Sequence, residues 1–254
     1  MAGYDVREPS VVATSVGARG EVVLRRRETV RRERGRTDTE GQAVDELIVN
    51  GAFAMDSTET SSERELASLA YGRGSAGGRM LVGGLGLGYT AQRALELDVG
   101  HLDVVEIEEA LVRWAEEGRT GLLGLLAREP RLTLLTGDVA QVLTDADDGR
   151  WDAIALDVDN GPDFLIHAAN ASLYTPEFLR LAYQRLAPGG RLAIWCQGPS
   201  PGLLAFLTAI AVSAQEHLYR VQRGERRFSY AIYTLDRPAE APTRPGQATD
   251  GEPE

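Results

Sequence analysis

The stretch Met80-Leu-Val-Gly-Gly-Leu-Gly-Leu-Gly88, followed by Val104-Val-Glu-Ile-Glu108, limits what this chain can fold into more than any other feature. A short apolar run enters a glycine turn and a helical segment leads out. A second apolar run then ends in a carboxylate, Glu106, eighteen residues after Gly88. That is the order of a nucleotide-binding β-α-β unit. Glycines let the backbone turn tightly and approach a ligand without interference from Cβ. Glu106 then stands where a carboxylate can accept hydrogen bonds from the two hydroxyls of a ribose. The spacing Gly84-x-Gly86-x-Gly88 is not the Gly-x-Gly-x-x-Gly of dinucleotide folds, and it suits a nucleoside better than a pyrophosphate.

Two further apolar runs end in acids. Leu132-Thr-Leu-Leu-Thr-Gly-Asp138 closes on Gly137 and Asp138 ahead of Val139, and Trp151-Asp-Ala-Ile-Ala-Leu-Asp157 closes on Asp157, with Asp159 and Asn160 just beyond. In an α/β sheet, ligands lie outside the carboxyl ends of the strands. The candidate nucleoside-binding residues are therefore Gly83, Gly84, Gly86, Gly88, Glu106, Ile107, Gly137, Asp138 and Val139; Asp157, Asp159 and Asn160 are the candidates for chemistry. Methyltransferase-like folds read S-adenosyl sulfonium nucleotides in this way.

The apolar pattern predicts strands at 80–84, 102–106, 132–136, 152–157 and 191–196, alternating with helices at 88–98, 108–128, 138–144, 175–187 and 201–216. Such alternation means a doubly wound, mostly parallel sheet of Rossmann-like methyltransferase type. Segments 218–222 and 228–235 read as an antiparallel edge hairpin. Three β-rich stretches, 11–16, 21–27 and 46–55, form an N-terminal β appendage within residues 1–60, ahead of a catalytic domain over 61–236. Ser62-Glu-Arg-Glu65 has capping-box spacing and opens a helix reaching Tyr71. Residues 237–254 carry four prolines and almost no large apolar side chain, the composition of a disordered tail.

Composition removes whole classes of chemistry. All 27 basic residues are arginine, so lysine Schiff bases, P-loop phosphate transfer and lysine general bases are excluded. The single cysteine, Cys196, permits no internal disulfide and no cysteine-rich zinc site. His101, His167 and His217 lack metal-ligand spacing, so no metal is expected. A net charge of -11 argues against nucleic acid and favours cationic ligands. The opposite patch, Arg25 to Arg36, holds seven arginines against two glutamates and reads as a solvated hairpin end. No membrane-length apolar run and no signal pattern are present, so a soluble cytoplasmic protein is expected.

Asp157 and Asp159 are two apart and would share a face of a continued strand. Acids there could bind an amine cation and take its proton before attack on the carbon beside a sulfonium. Equally, Asp157 could cap a turn that Asn160-Gly-Pro162 completes; the residues alone leave both open.

With these segments in order, the chain resembles the spermidine synthase family of polyamine aminopropyltransferases from about residue 21 to 235. Asp45 to Gly51 looks like the family's link between β-domain and first helix. Gly83 to Gly88 resembles its glycine motif, Val105-Glu-Ile-Glu108 its ribose-acid strand, and Gly137-Asp138 its adenine-side pair. Asp157 matches the first acid of its Asp-Ser-Ser-Asp-Pro gate, the general base in the family. Leu173 to Phe178 and Trp195 to Gly198 also look like family segments.

The departures are specific. The acid in the family's Gly-Gly-Gly-Asp-Gly-Gly motif, which holds the amino end of the aminopropyl group, falls on Gly86 or Leu87. The fourth gate residue is Asn160, and a nucleoside-binding glutamine is replaced near Asp45. The segment after Asp157 is longer than the family's gate, and its Asp163, His167 and Asn170 are candidates for a different acceptor pocket. The resemblance implies a dimeric transferase moving an aminopropyl or related alkyl group to a small-molecule amine. Its donor would be S-adenosylmethionine or decarboxylated S-adenosylmethionine. An S-adenosylmethionine methyltransferase and a catalytically weak nucleoside-binding paralogue are the alternatives.

Overall fold

Two hairpins set the geometry of the N-terminal sheet. The computed structural model describes residues 3–6, 8–32, 42–72, 76–165, 167–223 and 226–239. Its first five strands are β1 (Gly3–Val6), β2 (Ser10–Gly17), β3 (Gly20–Arg32), β4 (Gln42–Val49) and β5 (Ala52–Asp56). All pairings are antiparallel, in the order β1-β3-β4-β5, with β2 also on β3. The β-rich stretch 46–55 is the end of β4, a turn and most of β5. Asn50 and Gly51 turn it with φ of 52° and 76°, the left-handed pair that a two-residue hairpin demands. The Asn50 side chain also binds the neighbouring hairpin, accepting from Glu21 N at 2.9 Å and donating to Arg19 O at 3.1 Å.

Cross-strand register places Arg25 opposite Glu46 and Arg26 opposite Asp45. Arg25 Nε lies 2.5 Å from Glu46 Oε2 and Arg26 Nε 2.7 Å from Asp45 Oδ1, so this part of the arginine run is paired within the sheet and not a solvated hairpin end. Residues 33–36 of that run lie outside the described residues.

The chain then runs through α1 (Ser61–Tyr71), β6 (Arg79–Gly83), α2 (Tyr89–Glu96), β7 (His101–Glu106), α3 (Glu109–Glu116), α4 (Gly121–Leu126), β8 (Leu132–Thr136), α5 (Val139–Asp145) and β9 (Trp151–Leu156). A short 3-10 helix over Ala168–Tyr174 precedes α6 (Pro176–Gln184), β10 (Leu186–Cys196), α7 (Pro201–Ile210), β11 (Gln215–Arg223) and β12 (Arg226–Asp236). The strands form one seven-stranded sheet in the order β11-β12-β10-β9-β6-β7-β8. The pairings from β10 to β8 are parallel, and β12 and β11 add the antiparallel edge.

Met80, Leu81 and Val82 are consecutive and fully buried, as in a strand covered on both faces. Met80 and Val82 pack with α1, α2, α3 and α4 through Leu66, Ala91, Trp114 and Leu123; Leu81 packs with α5, α6 and α7 through Leu143, Leu179 and Leu203. Val22, Leu24 and Leu47 of the N-terminal sheet join the first of these clusters, which brings that sheet against the glycine-turn side of the molecule. Because β6 pairs with β7 on one side and β9 on the other, the chain reverses direction across the sheet at β6, and a crevice opens beyond its end.

The helix expected at 108–128 is two helices. Gly118, at φ 67°, ends the first, and Thr120 Oγ1 caps the second by accepting from Leu123 N at 3.1 Å. The capping box at 62–65 does not form: Thr60 is the cap residue, without a side-chain bond, and Ser62 Oγ donates to Glu63 Oε2 at 2.7 Å instead. The helix expected at 201–216 stops at Ile210. The expected tail lies outside the described residues from 240 onward. Among the described residues no helix is long and apolar enough to cross a membrane.

Candidate active site

The glycine turn is stitched to both neighbouring strands. Gly84 N donates to Val105 O at 2.8 Å, and Asp157 N donates to Gly83 O at 2.8 Å. Gly84 has φ 97°, and a Cβ there would lie 2.0 Å from Asp157 O. Gly86, at φ 51°, sits under Met55 of β5, whose sulfur accepts from Leu87 N at 3.3 Å. Gly88 packs elsewhere: a Cβ on it would lie 2.4 Å from Leu126 Cδ1 of α4. Gly83 is enclosed by Val139, Leu156 and Val158. Of the motif's glycines, Gly84 and Gly86 line the cavity beyond β6, and Gly83 and Gly88 do not.

Glu106 closes β7 with its carboxylate 5% exposed. Oε2 accepts from Leu85 N and Oε1 from Glu108 N, each at 2.8 Å, so the acid also holds the glycine turn in shape. Burial pushes its carboxyl up, and the backbone N–H groups of Glu108, Leu85 and Gly86 oppose that. The carboxylate's four lone-pair sites outnumber these N–H groups. Ile107 is 38% exposed on the cavity wall, an apolar face turned to the crevice. Asp138 caps α5 by accepting from Ala140 N at 2.8 Å and lines the same wall with Gly137 and Val139. A Cβ on Gly137 would meet nothing within 4 Å.

Asp157 follows β9 directly. Its carboxyl is buried, which pushes its pKa up to about 6 against a bond from Thr90 Oγ1 to Oδ2 at 2.7 Å. Glu63 of α1 lines the cavity on the same side; burial, and then the charge of Asp157, push it to about 7. Two carboxyls with raised pKa thus line one cavity.

Asp159 has a different job. It accepts from Asn160 N and from Asn170 Nδ2, each at 2.7 Å, and from His167 N at 3.3 Å. It thereby folds the segment after β9 over the cavity. Asn160 is pinned from behind, its carbonyl accepting from Gln197 N at 2.9 Å. Asn160, His167 and Asn170 line the cavity, whereas Asp163 is exposed outside it. Leu87 is 2% exposed in the core, whereas Gly86 lines the cavity. Asp45 pairs with Arg26 and lies away from this cavity.

Several lining residues carry no sequence signal. Glu63 lies inside what reads as a capping box. Arg19 sits in the turn Gly17-Ala-Arg-Gly20, and Met55 ends a hairpin. Trp195, one residue from the end of β10, presents a buried Nε1 with no hydrogen-bond partner to a cavity its ring lines. Arg19 Nε and Glu108 Oε1 form an ion pair at 3.3 Å on the wall of the same cavity. Buried polar atoms are normally satisfied, so the orphan Nε1 of Trp195 is a feature a ligand could complete.

The same architecture occurs in solved spermidine synthases. One, in complex with the transition-state analogue AdoDATO, superposes with a TM-score of 0.68 at 14% identity, over 91% of this chain and 74% of that one. The spermidine synthase from Thermotoga maritima gives 0.67 at 13%, with the same coverage. In sequence, the chain is 29% identical over 160 residues to polyamine aminopropyltransferase 2 of Streptomyces coelicolor and 31% identical over 155 residues to the polyamine aminopropyltransferase of Corynebacterium efficiens. The chain is spermidine synthase-like in sequence and in fold. No family model matches it. The matched stretches cover 62% and 58% of this chain, and the chain spans 28% of the length of each of these relatives.

Proposed function

We propose that the cavity binds an S-adenosyl sulfonium nucleotide and that the protein transfers an aminopropyl or related alkyl group from it to a small-molecule amine. One observation carries the reading: Glu106, a ribose-type acid, and Asp157, a buried carboxyl held near 6, face one cavity from the strands on either side of β6. Glu106 accepts the ribose hydroxyls on the lone pairs its backbone bonds leave free. Ile107, Gly137 and Val139 flank the adenine, and the second oxygen of Asp138 accepts from its amino group.

The reaction is a displacement at the carbon beside the sulfonium. The acceptor nitrogen forms the new C–N bond, the C–S bond breaks, and its electron pair leaves on sulfur as a neutral thioether. The proton lost from nitrogen passes to Asp157, whose Oδ2 is held by Thr90, leaving Oδ1 as the accepting oxygen. A base tuned towards the working pH contributes about 10² to 10⁴ in rate, and alignment of amine and carbon supplies most of the rest. The relatives' activity favours an aminopropyl group and hence the decarboxylated donor.

Incubation with each donor and a panel of amines, following release of the thioether nucleoside, tests the reading. Methylthioadenosine release that depends on an amine and on Asp157 is expected. Release of S-adenosylhomocysteine would make the protein a methyltransferase, and no thioether from either donor would overturn the assignment.

A further inference from the structure

Six carboxyl side chains line the cavity, and four of them are engaged by partners that fix their place. Glu106 holds two backbone N–H groups, Asp138 caps α5, and Asp159 is occupied by the segment it organises. Glu108 faces Arg19, with Oε1 3.3 Å from Nε. The remaining two are Glu63 and Asp157, each bonded by one hydroxyl, of Ser62 and of Thr90. Arg19 is the one arginine among the described lining residues.

Arg19 is held in place. Its Nη2 donates to Asn170 Oδ1 at 3.1 Å, and its carbonyl accepts from Asn50 Nδ2 at 3.1 Å. The next residue, Gly20, has φ 111°, and a Cβ there would lie 1.8 Å from Asn50 Oδ1. The guanidinium thus bridges from the β7 side to the segment after β9. Those two strands flank β6, so their ends lie about 10 Å apart. Its Nε is ion-paired with Glu108 Oε1 and makes no hydrogen bond.

Building on the transferase reading above, we propose that Arg19 recognises a carboxylate carried by one of the substrates, so that the cavity takes a zwitterionic ligand between Glu63 and Asp157 at one end and Arg19 at the other. A ligand carboxylate would accept from the guanidinium's remaining N–H groups in a charge-assisted bond, for which its planar fork is well shaped. A diamine would instead set its second cation beside Arg19. The carboxylate has two possible sources. Intact S-adenosylmethionine has one that its decarboxylated form lacks, and an amino acid acceptor has one that a diamine lacks.

Calorimetry separates these. Methylthioadenosine is titrated first; if it does not bind, the transferase reading falls and this proposal falls with it. The donor arm compares S-adenosylmethionine with its decarboxylated form. The acceptor arm compares 4-aminobutyrate with 1,4-diaminobutane on protein loaded with methylthioadenosine. In one arm the carboxylate-bearing member should bind at least about tenfold more tightly, and that arm names the substrate concerned. Arg19→Gln should erase the gap, and Arg19→Lys, which keeps the charge, should retain part of it. Methylthioadenosine binding with no gap in either arm, or a gap that survives Arg19→Gln, would overturn the assignment of Arg19 alone.

Discussion

Thr90 Oγ1 donates to Asp157 Oδ2 at 2.7 Å, tying the first turn of α2 to the acid that ends β9. The bond favours the ionised carboxylate and so works against the burial that raises its pKa to about 6. Thr90→Val keeps the shape and removes the donor. Asp157 should then titrate at higher pH, and the acid limb of the pH–rate profile should move upward while the rate on the alkaline plateau changes less. An unmoved acid limb would mean that Asp157 is not the titrating group.

Asp157→Asn separates chemistry from stability. An amide cannot take the proton, so turnover should fall at least about a hundredfold with nucleoside affinity little changed. Stability should move the other way. The carboxyl pKa is raised from 3.8 to about 6 on folding, so the native state keeps a proton that the unfolded chain releases between those values. Stability therefore falls as pH rises through that window, by an amount on the order of 3 kcal/mol. Asp157→Asn removes this cost and should raise the Tm at pH 8 relative to the native protein, but not at pH 4. Loss of both activity and Tm at pH 8 would identify Asp157 as a structural turn cap.

The glycines make opposite predictions. Gly84→Ala would place a methyl 2.0 Å from Asp157 O at a residue of positive φ, and it should destabilise the protein before any ligand is added. Gly137 faces open space. Gly137→Ala should leave the Tm within about 1 °C and weaken nucleoside binding, since the added methyl occupies ligand space. Equal nucleoside affinity in Gly137→Ala would remove that residue from the site.

The fold was legible because its signals are local and repeated. Buried parallel strands such as Met80 to Val82 and Ile154 to Leu156 are short apolar runs, and glycine turns and acids fall at their ends. The boundaries that failed depend on tertiary contacts. Gly118 and Thr120 divide a continuous helical pattern, and Ser62 bonds to Glu63 where a capping box was expected. The residues the strands carry into the cavity, among them Glu106, Asp138 and Asp157, could be read from spacing. Arg19, Met55 and Glu63 could not, because they arrive from the N-terminal sheet and α1, whose approach to the crevice no local pattern records. Asp159 shows the converse: its position two residues past Asp157 suggests chemistry, yet its oxygens are committed to Asn160 and Asn170.

Glu106 has two roles that one substitution will expose together. Its oxygens accept from Leu85 N and Glu108 N, so Glu106→Ala leaves two buried N–H groups unpaired and should cost about 1 to 3 kcal/mol for each that water cannot reach. The same change removes the acceptor proposed for the ribose hydroxyls, where charge-assisted bonds of about 1.5 to 3 kcal/mol make a loss of at least tenfold in nucleoside affinity the expected result. Comparing adenosine with 2′,3′-dideoxyadenosine separates the two roles. The native protein should prefer adenosine, and Glu106→Ala, measured at a temperature where it remains folded, should bind both alike. A preference for adenosine that persists in the variant would show that Glu106 shapes the glycine turn and that another group holds the ribose.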